Sequence, residues 1–214
     1  MGYKASIYAI LRMIVQLLLI GYVLTYIFGT NSYSIVITIL IIMLLAASWI
    51  SLRTTSLPKK TLILNVIFSI VIGGVSVLII MTQGVLLIDP WYSPNIMIPL
   101  GGMIFANCMN GLSLAAERLE SELKQGKTYK EAKVVALRTS LIPITNMLLA
   151  VAIVSLPGMM TGQILSGVSP MIAVRYQVMV MCMLFGSTGI SVAVFLQSVR
   201  VQFQTPISII NKEK

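Results

Sequence analysis

Histidine is absent from this 214-residue chain. Without imidazole there is no HExxH site, no Ser/His or Cys/His dyad and no histidine ligand for haem or zinc, so many enzyme classes fall away. Cysteine is almost as scarce. Cys108 and Cys182 both fall inside long apolar runs, where a structural disulfide is not expected and no neighbour would lower a thiol pKa. Charge is thin too: 10% of residues are charged, where a soluble domain carries about a quarter. Two short stretches imitate active sites and fail. "GLSLA" at 111–115 looks like a membrane serine-protease site, but its serine has no base. "SELKQGKT" at 121–128 ends like a phosphate-binding loop, yet Ser121 stands where the first glycine is required, and the sequence ahead of it is helical where a strand is needed. The chain is therefore not expected to be an enzyme or to hold a cofactor, and an ATPase that drove it would be a separate polypeptide.

What remains is apolar. Hydrophobic residues make up 57% of the chain and the mean hydropathy is +0.96, so the solvent it folds in is lipid. In hydrocarbon every backbone group needs a partner, and a helix of about 20 apolar residues provides one internally. Six runs qualify, at 7–28, 33–50, 62–82, 96–115, 141–156 and 172–198. They are continuous and rich in Ile, Leu, Val and Met, unlike the alternating segments of roughly ten residues that build a barrel. The first is too long for a signal peptide, and "IFGTNSYS" lacks a small-x-small cleavage site.

Lys and Arg set the orientation. Residues 51–61 carry Arg53, Lys59 and Lys60, and 116–140 carry Arg118, Lys124, Lys127, Lys130, Lys133 and Arg138, so both segments are expected in the cytoplasm. The connections at 29–32 and 83–95 hold no Lys or Arg and are expected outside. Lys4, Arg200, Lys212 and Lys214 then put both termini inside, consistent with an even number of spans. The net charge of +9 is mostly topology, tied to span ends, and does not call for nucleic acid.

The segment between the fourth and fifth spans is the most structured of the polar parts. Leu112, Ala116, Leu119 and Leu123 recur at steps of three and four, with Glu117, Glu120 and Glu122 elsewhere around the helix, so the fourth span continues as an amphipathic helix. Gly126 stops it. Thr128 and Glu131 have the spacing of a capping box, and Ala132, Val135, Ala136 and Thr139 carry the next stripe to Leu141. This predicts a cytoplasmic helix-turn-helix. One reading is a solvated loop whose charges satisfy topology. The other is a docking element for a soluble partner, with Glu117, Glu120, Glu122, Gly126 and Glu131 as its coupling residues. "ESELKQG" has the acid-to-glycine spacing of the loop by which many ABC importer permeases contact their ATPases, although Pro143 follows about one helical turn later than in that pattern.

Polar residues inside spans mark either helix-to-helix bonding or a solute path. Asn107 and Asn110 in the fourth span and Asn146 beside Thr145 in the fifth are open to both readings, while Arg12 and Gln16 can bond on one face of the first span. The stretch "VSLPGMMTGQILSGVSP" at 154–170 breaks a helix in the middle of apolar sequence. Pro157 is expected to end the fifth span, Gly158 and Gly162 to permit close backbone approach, and Ser169 with Pro170 to start the sixth helix. What lies between is too apolar for a free loop and too short to cross, which predicts a short outer re-entrant or interfacial helix over the pathway, with Thr161 and Gln163 as further gate candidates. A tight outer turn that merely packs is the alternative. Met159 and Met160 offer thioethers suited to soft ions, but 14 methionines in a membrane chain suggest filler, and the metal ligands are left unassigned.

Several stretches resemble one family across nearly the whole chain: "RMIVQLLLIGYVLTYIFG" at 12–29, "IPLGGMIFANCMNGLSLA" at 98–115, "LIPITNMLLAVAIVSLPGMMTGQILSGVSP" at 141–170 and "AVRYQVMVMCML" at 173–184. They look like the iron-export ABC permeases of the FetB type, whose plant relatives are linked to aluminium tolerance, and "SLPGMM" is specific to that family. The resemblance implies a multi-pass permease of the plasma membrane (the bacterial inner membrane), working as a homodimer with a separate ABC ATPase that binds ATP and Mg, and exporting iron or another metal-related solute. A channel or scaffold without ATP coupling is the rival reading. The family carries a further span ahead of the segment at Arg12, so residues 1–214 are read as a single permease domain short of the family's first span.

Overall fold

The computed structural model describes residues 3–29, 32–56, 59–154 and 156–200. Lys212 and Lys214, part of the case for an inner C-terminus, lie outside the described residues. The fold is all-helical, with no β-sheet among the described residues. Helix α1 spans Tyr3–Phe28 and α2 Tyr33–Ser51. The third span is composite: α3 (Lys59–Ile70), a π turn (Val71–Val75), the four-residue α4 (Ser76–Ile79) and a second π turn (Ile80–Val85). Then come α5 (Pro94–Lys124), α6 (Tyr129–Ala150), the short α7 (Gly158–Leu165) and α8 (Pro170–Ser198). Six of these segments are long and apolar enough to cross a membrane.

The bundle is organised around α5, which packs against α2, α6 and α8. Leu62, Val66 and Ile70 of α3, Ile104 and Leu119 of α5, and Val192 and Phe195 of α8 are fully or almost fully buried. In lipid the hydrophobic effect does not drive one helix onto another, so close packing of small residues has to do it. A Cβ added to Gly73 would meet the Ser191 hydroxyl oxygen, and one added to Gly111 would lie 2.6 Å from Thr188 Cγ2. The Ser191 hydroxyl also lies 3.3 Å from Cys108 Sγ. Glycine in the third span and in α5 thus lets both helices close on one face of α8. Helix α1, by contrast, is mostly exposed among its described side chains, with Ile27 buried and Leu24 half-buried against the core.

Two ends of the bundle can be told apart. Tyr33, Trp91 and Tyr92 cluster at one end, with ring centroids 6.3 Å apart for Tyr33–Tyr92 and 5.6 Å for Trp91–Tyr92. At the other, Thr54 donates to the Ser113 carbonyl at 3.2 Å, and Lys and Arg residues gather. These are called the aromatic and basic ends below.

The fifth span differs from the sequence expectation. The helix that starts after the capping box does not give way to a separate span at 141. It runs unbroken through Pro143 and stops at Ala150, short of the expected 156. Val151 leaves helical geometry, Ala152 takes a left-handed φ of 64°, and the amides of Ile153 and Val154 bond to the Ala150 carbonyl. Pro157 therefore does not end this span; it is the N-cap of α7. Pro157 disfavours helix at Leu156, but the helix has already ended by then, at the turn where Ala152 takes its left-handed φ.

Candidate functional site

Helix α5 is longer than one crossing needs, and its last turns, beyond the apolar run 96–115, lie at the basic end. Its 31 residues rise about 46 Å, against roughly 30 Å of hydrocarbon. It ends in a Schellman motif: the amide of Gly126 bonds to the Leu123 carbonyl at 3.0 Å and that of Lys127 to the Glu122 carbonyl at 3.3 Å, with Gly126 at a left-handed φ of 85°. Two residues later Thr128 caps α6. Its amide donates to Glu131 at 3.0 Å, and the Glu131 amide reaches back to its hydroxyl at 3.4 Å. The expected helix, glycine turn and second helix are all present.

The acids of this segment face inward more than the sequence suggested. Glu120 accepts from the Thr55 hydroxyl at 2.8 Å, the Ser56 amide at 2.9 Å and Lys124 at 2.6 Å. Burial raises its pKa, but Lys124 and the Ser56 and Thr55 donors outweigh that and hold it at about 2. Glu122 lies under the cations Lys127 and Arg118, and Lys127 chiefly, against the cost of burial, keeps its carboxyl below the usual range. Glu131 is engaged in its capping box. Of the coupling candidates, Glu117 is exposed, and Gly126 sits at the tip with open space around it. Composition could not show that Thr54, Thr55 and Ser56, more than 50 residues upstream, clamp α5 to the preceding loop.

Two cavities lie toward the aromatic end. The first, of 590 Å³, is formed between α5, α6, α7 and α8 and includes Met103, Asn146, Pro157, Gly158, Met159 and Gln177. The second, of 640 Å³, includes Asp89, Asn95, Met103, Met159, Gln163 and Tyr176. Met103 of α5 and Met159 of α7 line both, so the two cavities adjoin at these side chains. The side-chain oxygens of Gln163 and Gln177 are buried without a hydrogen-bond partner among the described residues. A buried amide oxygen left unpaired costs about 1–3 kcal/mol, so each is a place for a donor from water, solute or another subunit.

The gate candidates thus divide. Asn146, Pro157, Gly158 and Gln163 converge on the cavities. Asn107 bonds instead to the Met103 carbonyl of its own helix at 2.9 Å, and Asn110 is exposed. Thr161 bonds to the Pro157 carbonyl at 3.1 Å and so braces α7 internally. The expected close approach at Gly158 and Gly162 is not there, because a Cβ at either would meet nothing within 4 Å. The glycine that does permit a turn here is Gly167, at φ 87°, which closes α7 with a second Schellman motif. Ser169 and Pro170 start α8 as expected, but the Ser169 hydroxyl makes no capping bond; its carbonyl accepts the Ala173 amide at 3.0 Å. Gln177 and Met103 escaped sequence reasoning, although a lone amide inside an apolar run was a legible signal for the former.

Comparison with known proteins gives a consistent picture. Residues 3–203 match the profile of UPF0014, described as an uncharacterised protein family. A UPF0014 membrane protein of Synechocystis is 34% identical over 209 residues, covering 90% of this chain and 80% of the relative. The "Probable iron export permease protein FetB" of Escherichia coli is 30% identical over 203 residues, covering 88% and 77%. "Protein ALUMINUM SENSITIVE 3" of Arabidopsis thaliana is 30% identical over 201 residues, covering 86% and 72%. No solved structure matches the chain.

Proposed function

Because the chain belongs to the UPF0014 family, we propose that it is the translocating subunit of an ABC transporter, a permease that exports iron or another metal-related solute. In this reading it sits in the plasma membrane as a homodimer, with the basic end in the cytoplasm. A separate ATPase subunit binds ATP and Mg and docks on the turn at Gly126.

One observation carries this reading. Helix α5 runs unbroken from the second cavity, where Asn95 and Met103 line it, to the Gly126 turn. A continuous helix transmits a displacement at one end to the other, and the Glu120 clamp makes the preceding loop move with it. Glu117 and Gly126 present the exposed face of that lever. Helix α7, which lines both cavities through Met159, is the gate that the displacement opens. The thioethers and amides of Met103, Met159, Gln163 and Gln177 are the surface the solute meets.

The test is coupling. The chain is purified with its ATPase, and hydrolysis is compared with transport for wild type and Gly126→Val. Valine at φ 85° strains the turn without touching a neighbour, so membrane insertion is expected to survive while hydrolysis and transport separate. Coupling that is unchanged in the variant would return the turn to a solvated brace.

A further inference from the structure

Between the start of α6 and the end of α8, the residues Tyr129, Lys130, Lys133, Gln197 and Arg200 line a cleft of 220 Å³ at the basic end. Three of the five are cations and none is an acid. The carboxylates close by are engaged elsewhere: Glu120 with Lys124, Glu122 with Arg118 and Lys127, and Glu131 in its capping box. Two of the terminal carbonyls of α8, which would otherwise draw cations, are bonded by neutral side-chain donors. The Tyr129 hydroxyl donates to Leu196 at 2.6 Å and the Asn65 amide to Ser198 at 3.1 Å. Lys133 itself is steadied by the neutral side chain of Gln197. Topology accounts for basic residues at this end of the bundle. It does not account for three of them converging on one cleft that no carboxylate lines among the described residues.

We propose that this cleft binds a phosphate group, that of an anionic phospholipid headgroup seated between α6 and α8. Its place fits: Lys133 lies in the second turn of α6 and Gln197 next to the last residue of α8, at the basic end that faces the cytoplasmic leaflet in the proposed orientation. The chemistry fits as well. The two lysines supply point charges, and Arg200 supplies the planar fork that pairs with two phosphate oxygens. Tyr129, held by its bond to Leu196, ties the two walls together so that the cations stay in register. The site is independent of what the chain transports.

The full chain, stripped of lipid in a neutral detergent, is titrated with dioleoylphosphatidylglycerol, dioleoylphosphatidylcholine or inorganic phosphate and followed by native mass spectrometry. Wild type is compared with Lys130→Gln/Arg200→Gln and with Arg53→Gln/Lys60→Gln, which removes two cations of the same end that do not line the cleft. The cleft variant is expected to need roughly thirtyfold more phosphatidylglycerol, at about a factor of five per cation, while the control variant and the phosphatidylcholine titration stay level. Binding of phosphatidylglycerol without inorganic phosphate supports the lipid assignment, and binding of inorganic phosphate without phosphatidylglycerol overturns it. Equal loss in both variants overturns the proposal, because the charges then act as a diffuse field. So does a cleft variant that binds both probes like wild type, including the case in which it has lost its ATPase partner instead.

Discussion

Gly73 and Ser191 meet backbone to backbone: a Cβ on Gly73 would lie 2.5 Å from the Ser191 nitrogen and 2.9 Å from the Ser187 carbonyl oxygen. Neither atom can move without moving α8. Gly73→Ala is therefore expected to cost about 1–3 kcal/mol by forcing the third span away from α8. Gly186→Ala and Gly189→Ala, which meet nothing within 4 Å, are expected to be neutral. Thermal unfolding in detergent measures all three, and equal midpoints across the set would contradict the packing account.

The sequence made local features legible and left tertiary ones hidden. Six spans, the Gly126 stop, the Thr128–Glu131 box and the Pro170 start all follow from residues within one or two turns of each other, where periodicity and capping chemistry act. The Gly73–Ser191 contact joins positions more than 100 residues apart, and no local pattern reports which face of α8 a glycine meets. The π turns at Val71–Val75 and Ile80–Val85 were equally invisible, since apolar sequence reads as regular helix. The misplaced end of the fifth span has a different origin. Val151 to Leu156 is as hydrophobic as the helix before it, so hydropathy gave no stop where the backbone turns. Family resemblance pointed to the segment around Pro157, but only the cavities showed which of its residues face an opening.

The Glu120 clamp predicts a local effect. Glu120→Ala removes the acceptor of the Ser56 amide and the Thr55 hydroxyl, and the Ser56 amide is expected to exchange its hydrogen roughly tenfold faster or more. Because the carboxyl is held at about 2 against an ordinary 4.5, the clamp's contribution is complete above pH 4.5 and is lost as pH falls through 2. Exchange at Ser56 that is identical in wild type and variant at pH 7 would sink the clamp.

Sidedness can be probed chemically. With Cys108 and Cys182 replaced, single cysteines at Ser32 and Ser93, at the aromatic end, are expected to react with an impermeant thiol reagent added outside. One at Ser56, at the basic end, is expected not to react. Labelling of Ser56 from outside would invert the orientation.

The open space around Gly158 and Gly162 changes what their substitution means. Gly158→Leu and Gly162→Leu are expected to fold with stability within about 0.5 kcal/mol of wild type. Loss of transport without loss of folding then assigns the exposed face of α7 to the gate or to a second subunit, whereas normal transport in both removes α7 from the gate.

In the proposed mechanism, ATP hydrolysis in a partner drives a solute through this chain. Proteoliposomes holding the chain and its ATPase are loaded with a panel of metals including iron, and given ATP or a non-hydrolysable analogue. Iron or another metal-related solute is expected to move with ATP and to stay with the analogue. Movement that is indifferent to the nucleotide, as in a channel, or no movement of any solute with hydrolysis unaffected by the chain, as in a scaffold, would contradict it.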